Sequence, residues 1–291
     1  MDYLLHIIIM IAIYSILCMS ANILTGLTQK ISLAFGAFYG MGAYISALSV
    51  LYLHLSLIPS VLLILLVNSL LALLIALPSL RLKGDYFILA TLGFQIIVYS
   101  ILYNWTDVTR GPFGISGISS PLIIGGFILD GIFQFFVFSI LVLLVLGIFF
   151  YYLIESPFGR VLRALGDDEL ALLSLGRNIY YYKVLTFVLS SAFTGIAGYI
   201  YATYISYIDP TSFTLDESIF ILSALIIGGL GSVQGAVCGA VFVVLIPEIL
   251  RFVGLPDSIA APMRQFIYGV ILIWVIFNRP QGIAGIKKYS Y

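Results

Sequence analysis

Charged residues are few in this chain, and they cluster. Of its 13 acidic and 13 basic residues, eight fall between 155 and 183: Glu155, Arg160, Arg163, Asp167, Asp168, Glu169, Arg177 and Lys183. Ser156 followed by Pro157 has the form of a helix N-cap with proline at the first helical position. Phe158, Val161, Leu162 and Leu165 then recur at amphipathic spacing. Gly166 is expected to stop this helix and Asp167 to cap a second short one carrying Leu170, Ala171, Leu173 and Ser174. Gly176 suits a left-handed C-cap. Two short amphipathic helices of this kind either rest on lipid headgroups or dock a partner.

A second group of polar residues interrupts apolar sequence at Asn22, Thr25, Gln29, Lys30 and Ser32, and is followed by Gly36, Gly40 and Gly42. Irregular backbone at membrane depth is tolerated where it lines a cavity or is buried in protein. A broken helix here could offer backbone N–H and C=O groups to a zwitterionic solute. Gly36 and Gly40 also have the small-x-x-x-small spacing of close helix packing, and both readings stand. Gly228 and Gly229 break apolar sequence again, and Gly231, Gly235 and Gly239 repeat the four-residue spacing of a packing face. Gly26-Leu27 with Gly36-Ala37 is echoed by Gly229-Leu230 with Gly239-Ala240, a faint sign of repeated halves. Asn68, Thr91 and Gln95 lie inside apolar runs, where interhelical hydrogen bonding is the default.

Covalent and metal chemistry find little to work with. His6 and His54 are isolated from carboxylates, and no G-x-S-x-G or H-E-x-x-H run occurs. No metal site is expected. Cys18 and Cys238 sit in apolar runs and read as small buried hydrophobes. Only Asp130 and Glu248 come close to the middle of apolar segments, and both are read near span ends, which offers no acidic relay for an ion path. Acidic and basic residues cancel, so nothing favours nucleic acid. No G-x-x-x-x-G-K-[ST] is present, so this chain is not expected to cradle ATP phosphates.

The elements that must position these groups follow from composition. Sixty-two per cent of the 291 residues are hydrophobic and 9% are charged, with a mean hydropathy of +1.16. Soluble domains carry roughly 25% charged residues, so a soluble enzyme is excluded. The expected fold is an all-α integral membrane protein, one domain over 1–291. It is a polytopic bundle of about nine helices (eight to ten), some broken or re-entrant. Spans are expected near 3–24, 32–54, 58–80, 86–103, 131–154, 184–206, 217–229, 234–252 and 264–278. The first reads as a retained span, since no basic residue precedes Lys30. Under nine spans, ten basic residues fall on one side: Lys30, Arg81, Lys83, Arg160, Arg163, Arg177, Lys183, Arg279, Lys287 and Lys288. Arg110, Arg251 and Arg264 fall on the other, with the loop 207–217 and its Asp209, Asp216 and Glu217. The positive-inside rule makes the first side cytoplasmic, with the N-terminus outside and the C-terminus inside. Aromatic runs at Phe149–Tyr152 and Tyr180–Tyr182 fit an interfacial belt flanking the cytoplasmic loop 155–183.

The run Ser156-Pro157-Phe158-Gly159-Arg160-Val161-Leu162-Arg163-Ala164, through Asp168-Glu169-Leu170-Ala171 to Leu175-Gly176, resembles the cytoplasmic loop of branched-chain amino acid ABC transporter permeases of the LivM type. The resemblance extends over nearly the whole chain. It includes Arg81-Leu82-Lys83-Gly84-Asp85, Thr91-Leu92-Gly93-Phe94, Gly111-Pro112, Ala192-Phe193-Thr194-Gly195, Ile227-Gly228-Gly229-Leu230-Gly231-Ser232, Pro247-Glu248 and Asn278-Arg279-Pro280-Gln281-Gly282. Gln29-Lys30 and Ala34-Phe35 depart from the family's commoner Gly-Gln and Gly-His.

The resemblance implies a bacterial inner-membrane permease subunit whose partners are a second homologous permease, two cytosolic ABC ATPases and a periplasmic or surface binding protein. ATP and magnesium would be held by the ATPases, with no cofactor in this chain. It implies an ATPase-coupling loop carrying Ser156, Pro157, Gly159, Arg160, Arg163, Asp168, Glu169, Ala171 and Gly176. The substrate pathway is expected along Asn22, Thr25, Gly26, Ser32, Gly36, Gly40, Gly42, Thr91, Gly93, Gly228 and Gly229. The expected function is import of branched-chain amino acids by alternating access. The alternatives are a urea or short-chain amide importer on the same scaffold, a polytopic enzyme acting on lipids, and an ion or proton channel subunit.

Overall fold

The computed structural model describes residues 2–82, 84–118, 122–123, 127–128, 131–252, 263, 266–267, 269–271, 273–274, 277 and 282–284. Its helices are α1 (Asp2–Asn22), α2 (Phe35–Leu51), α3 (Leu57–Ser79), α4 (Asp85–Asn104), α5 (Thr106–Thr109), α6 (Ile132–Glu155), α7 (Pro157–Asp167), α8 (Glu169–Ser174), α9 (Ile179–Ile205), α10 (Leu215–Gly228) and α11 (Val233–Phe252). A π-helical turn, Ile23–Leu27, prolongs α1. Four two-residue strands accompany them among the described residues: β1 (Ile115–Ser116), β2 (Leu122–Ile123), β3 (Phe127–Ile128) and β4 (Tyr207–Ile208). β1 pairs antiparallel with β4, and β2 with β3. The chain is an all-α polytopic membrane protein.

Among the described residues, five helical stretches are long and apolar enough to cross a bilayer: Asp2–Leu27, Leu57–Ser79, Asp85–Asn104, Ile132–Glu155 and Ile179–Ile205. Phe35–Leu51 and Val233–Ile249 are apolar but shorter. The expected span 217–229 is α10, whose 14 residues reach only about 21 Å against a hydrocarbon core of about 30 Å. The expected span 32–54 becomes helical only at Phe35, because residues 29–34 are irregular. Of the expected span 264–278, residues 266–267, 269–271, 273–274 and 277 are described, all of them helical, and the others lie outside the described residues. So do Lys83, Asp130, Arg264, Arg279, Lys287, Lys288, the side chain of Arg251 and most of the 278–282 run.

Burial separates central helices from peripheral ones. The apolar window is 72% buried in α1 and 67% in α9, but 17% in α6. Apolar character does not decide this, since α6 is more apolar than α1 yet far less buried. α9 packs along α2 and α3, and α1 packs against α6, α9 and α11. α6 turns Phe133, Leu141, Leu144 and Tyr151 outward, as a lipid-facing helix would. Cys18 is buried, but Cys238 is exposed, contrary to expectation, because it lies on the outer side of α11.

The bundle has two distinct ends. At one, α7 and α8 gather with Lys30, Arg81, Arg160, Arg163, Arg177 and Lys183. There the Tyr180 hydroxyl donates to the Leu77 carbonyl and Arg81 lies 5.8 Å from the Tyr180 ring centroid. At the other, the β1–β4 pair joins the segment after α5 to the segment after α9, and His6 meets the Tyr204 hydroxyl at 2.7 Å.

Between these ends α2 and α9 approach closely. A Cβ on Gly42 would lie 2.3 Å from the Gly195 carbonyl oxygen, and one on Gly198 would lie 2.3 Å from the Tyr39 carbonyl oxygen. Small residues allow such backbone contact where lipid supplies no hydrophobic drive between helices. Gly42→Ala must push two backbones apart, so it should destabilise the solubilised protein by about 1–3 kcal/mol. A Cβ on Gly93, in α4, would meet no atom within 4 Å, so Gly93→Ala should leave stability unchanged or slightly raised. Thermal unfolding of the two variants in detergent checks the contrast. Equal midpoints would refute it.

Candidate functional site

The platform at the end of the bundle is built from local capping chemistry. Ser156 Oγ accepts from the Gly159 amide at 3.2 Å and donates to the Leu153 carbonyl at 2.6 Å. Pro157 then occupies the first position of α7. A Cβ on Gly159 would lie 2.1 Å from the Ile154 carbonyl oxygen, so the tight turn from α6 into α7 requires glycine. α7 continues through Gly166 to Asp167, and Asp168 rather than Asp167 caps α8. The Asp168 carboxylate accepts from the Leu170 and Ala171 amides at 2.8 and 3.2 Å. Asp168 has extended backbone, the conformation a cap needs, whereas Asp167 remains helical. Gly176, at φ +72°, closes α8. Its amide donates to the Leu173 carbonyl and that of Arg177 to the Leu172 carbonyl, the pairing of a Schellman motif.

This platform rests on the segment where α1 ends. A Cβ on Gly166 would lie 2.5 Å from the Leu27 carbonyl oxygen. Glu169 bridges two cations from separate elements, Lys30 at 3.0 Å and Lys183 at 2.6 Å. Burial alone would raise the Glu169 carboxyl, but the hydrogen bonds and charges of Lys183 and Lys30 outweigh it and hold the group below its ordinary value of 4.5. Arg163 pairs with Glu155 at 2.9 Å, while Arg160 is exposed on α7. The outward side of α8 is apolar, with Leu170, Leu173 and Leu175 at 75%, 55% and 75% exposure.

From Gln29 the chain runs back into the bundle without regular structure. Thr91 and Gln95 lie six and ten residues into α4 from its platform end, about 9 and 15 Å deep. The Leu33 amide donates to Thr91 Oγ1 at 3.1 Å, and the Ala37 amide donates to Gln95 Oε1. The Gly36 amide donates to Ser218 Oγ at 2.8 Å, and Gln95 Nε2 donates to the Phe213 carbonyl at 2.9 Å. So α2 begins well inside the bundle, and its released amides are capped by side chains of α4 and α10. The second break behaves likewise. Gly229 and Gly231 take φ of +120° and +82°. Asn22 accepts from the Gly231 amide at 2.8 Å and donates to the Ser232 carbonyl at 2.9 Å. Asn68 donates to the carbonyls of Phe38 and Ser191.

The expected pathway residues therefore separate. Asn22, Gly26, Gly228 and Gly229 meet at the second break, where a Cβ on Gly26 would lie 2.6 Å from the Gly231 nitrogen. Ser32, Gly36, Gly40 and Thr91 gather at the first break, with Gly40 against the Phe213 ring. Ser32 Oγ accepts from the Ala34 amide. Thr25 is buried, and its hydroxyl has no partner among the described residues. Gly42 packs on α9. Gly93 joins neither group. Gly228, Gly235 and Gly239 are packing glycines, each placing a would-be Cβ within 2.3 Å of a backbone atom across the α10–α11 contact. An apolar groove of about 480 Å³ lined by Met19, Leu144, Gly147, Tyr151 and Val237 lies on the outer surface of the bundle.

One residue departs from its expected place. Glu217 falls not in an outer loop but in the first turn of α10, inside the bundle, where its carboxyl accepts from the Tyr14 hydroxyl at 2.7 Å. Tyr14 is midway along the 26-residue helical stretch Asp2–Leu27. A charge at such depth costs about 2.5–3.5 kcal/mol on insertion scales and marks function by default. Glu248, by contrast, meets Tyr3 near the end of α1. The adjacent acids Asp216-Glu217 at the head of an apolar run disguise a helix start as a loop.

Residues 3–276 match the family described as branched-chain amino acid transport system, permease component. The chain is 34% identical over 303 residues to the high-affinity branched-chain amino acid transport system permease protein LivM of Salmonella typhimurium. That alignment covers 96% of this chain and 69% of the relative. Identity to LivM of Escherichia coli is 32% over 300 residues, covering 95% and 68%. Identity to the probable branched-chain amino acid transport permease protein LivM of Methanocaldococcus jannaschii is 28%, covering 71% and 62%. No solved structure matches the chain.

The Glu169 bridge has a testable pH signature. Its carboxyl titrates lower in the fold than when unfolded, so its contribution is present above about pH 4.5 and is lost as pH falls through the folded value. Screening at this half-exposed site limits the contribution to about 1 kcal/mol. Glu169→Gln should lower the unfolding midpoint at about pH 7, with the difference closing as pH falls below the ordinary carboxylate range. A difference independent of pH, measured by thermal unfolding, would contradict the bridge.

Proposed function

This chain belongs to the family of permease components of branched-chain amino acid transport systems, and from that premise we propose that it forms the membrane pathway of an importer for branched-chain amino acids. A permease component works with other components of its transport system. We infer a second homologous permease, two cytosolic ATPases that hold ATP and magnesium, and a substrate-binding protein on the far side. The α7–α8 end faces the cytoplasm in this reading, supported by the six described basic residues gathered there. The N-terminus then lies outside, in a bacterial cytoplasmic membrane.

The observation that carries the proposal is the seating of α7 and α8 on the segment that connects α1 to the broken start of α2. An ATPase gripping the apolar side of α8 would move Glu169 and Gly166, and with them Lys30 and Leu27. That displacement leads directly into residues 28–34, the lead-in to a helix start whose amides are held by Thr91, Gln95 and Ser218. Exchange of those caps gives the permease a means of opening alternately to each side. Largely apolar pathway walls suit aliphatic side chains.

Reconstitution of the complete transporter tests the proposal. ATP-driven uptake of leucine, isoleucine and valine is expected, and uptake of urea is not. Leu170→Asp combined with Leu173→Asp should prevent the ATPases from co-purifying while the permease still inserts. Gly166→Val should leave the complex assembled but lower uptake by about tenfold or more, since about 1.4 kcal/mol of misplacement is a factor of ten. Normal uptake in the Gly166 variant would remove the mechanical role given to this contact.

A further inference from the structure

The capping roles above leave Glu217 unused. It is half-buried at the middle depth of the bundle, and no described lysine or arginine forms an ion pair with it. Two helix starts favour its anionic form, since a carboxylate is stabilised at a helix N-terminus. Glu217 itself occupies the first turn of α10, and the neighbouring Ser218 caps the Gly36 amide in the first turn of α2.

Three aromatic rings meet beside the same cap network, in which Gln95 accepts from Ser218, the neighbour of Glu217, and donates to the Phe213 carbonyl. The rings of Tyr39 and Tyr201 are 5.5 Å apart, those of Tyr39 and Phe213 are 5.1 Å apart, and those of Tyr201 and Phe213 are 5.9 Å apart. Tyr39 is 2% exposed, and its hydroxyl has no hydrogen-bond partner among the described residues. Tyr39 lies one turn along α2 from Gly36, whose amide donates to Ser218 Oγ, the neighbour of Glu217 in α10. A buried hydroxyl left unsatisfied is costly, and one within reach of a carboxylate that lacks a cation is arranged to receive a shared ligand. Tyrosine faces beside a carboxylate attract a cation, through the ring quadrupole and the full charge together.

We propose that Glu217, with the hydroxyl of Tyr39 and the rings of Tyr39, Tyr201 and Phe213, forms a transit site for a primary ammonium group, that of the amino acid crossing the membrane. The inference rests on the function proposed above and names the polar half of its substrate contact. The ammonium donates to Glu217 and to the Tyr39 oxygen, and the apolar side chain remains against the aromatic walls. An alkali cation would satisfy the same carboxylate, so the test must separate the two.

The complete transporter in proteoliposomes provides that test, with leucine uptake read alongside ATP hydrolysis in Na⁺ and in K⁺ media. Glu217→Gln should lower leucine uptake by about tenfold or more, the loss of one charge-assisted hydrogen bond, while the complex assembles and hydrolyses ATP. Tyr39→Phe removes an unpartnered hydroxyl and should lower uptake several-fold without lowering the unfolding temperature. Should Glu217→Gln not assemble, Tyr39→Phe decides, and unchanged uptake there overturns the site. Wild-type uptake matched by both variants overturns this inference alone. Wild type that moves no branched-chain amino acid overturns the proposed function and this site with it. Normal leucine uptake in Glu217→Gln with a lost Na⁺ dependence reassigns the carboxylate to an inorganic cation and overturns the ammonium assignment.

Discussion

Inside a bilayer no water is at hand for a backbone group that a helix releases, and every other feature of this bundle accommodates that constraint. Two helices are broken at depth, after Leu27 and after Gly228, and each break exposes amides that hydrocarbon would leave unsatisfied. The molecule answers with side chains from neighbouring helices. Thr91, Gln95 and Ser218 serve the first break, and Asn22 serves the second. Because each cap lies on a different helix from the amide it holds, the breaks cannot move without the surrounding bundle registering it. The caps are neutral hydrogen bonds, each of about 0.5–1.5 kcal/mol net, strong enough to define a state and weak enough to be exchanged.

The same geometry accounts for the glycines. Where α2 meets α9 and where α10 meets α11, backbones approach within the space a single methyl would fill. That proximity brings the polar caps into reach of their amides. It also leaves the two breaks as the irregular points of an otherwise closely packed centre. The platform of α7 and α8 is attached to one of those junctions through Gly166 and through Glu169, which holds Lys30 and Lys183 together. The contacts that join this platform to the broken helix are therefore direct, each of a few ångströms.

Much of this is legible in the residues. Ser156-Pro157 announces a helix start, Gly176 a helix end and Gly228-Gly229 a break, because caps and left-handed turns have narrow residue preferences. The polar interruptions at Asn22 and Ser32 mark the two junctions, although their partners cannot be named without the fold. Other features are hidden for physical reasons. Asp167 and Asp168 are equivalent as cap candidates until backbone geometry chooses the extended one. Asp216-Glu217 reads as loop chemistry, since nothing local reveals that Tyr14, some two hundred residues earlier, awaits the carboxyl. Gly93 shares a family motif yet packs against nothing within the described chain, and Cys238 sits in an apolar run yet faces outward. In a membrane protein an apolar residue has two comfortable environments, so hydropathy alone does not tell inside from outside.

The central claim is that the platform and the segment 28–34 move as one body, relative to the opposite end of the bundle. Pulsed electron–electron distance measurements on the assembled transporter address it directly, with spin labels at the exposed positions Ile31, Arg160 and Tyr207. Through the cycle of ATP binding and hydrolysis, the distance from Ile31 to Arg160 should stay constant while that from Ile31 to Tyr207 changes. Separation of Ile31 from Arg160, with Ile31 to Tyr207 unchanged, would contradict the account.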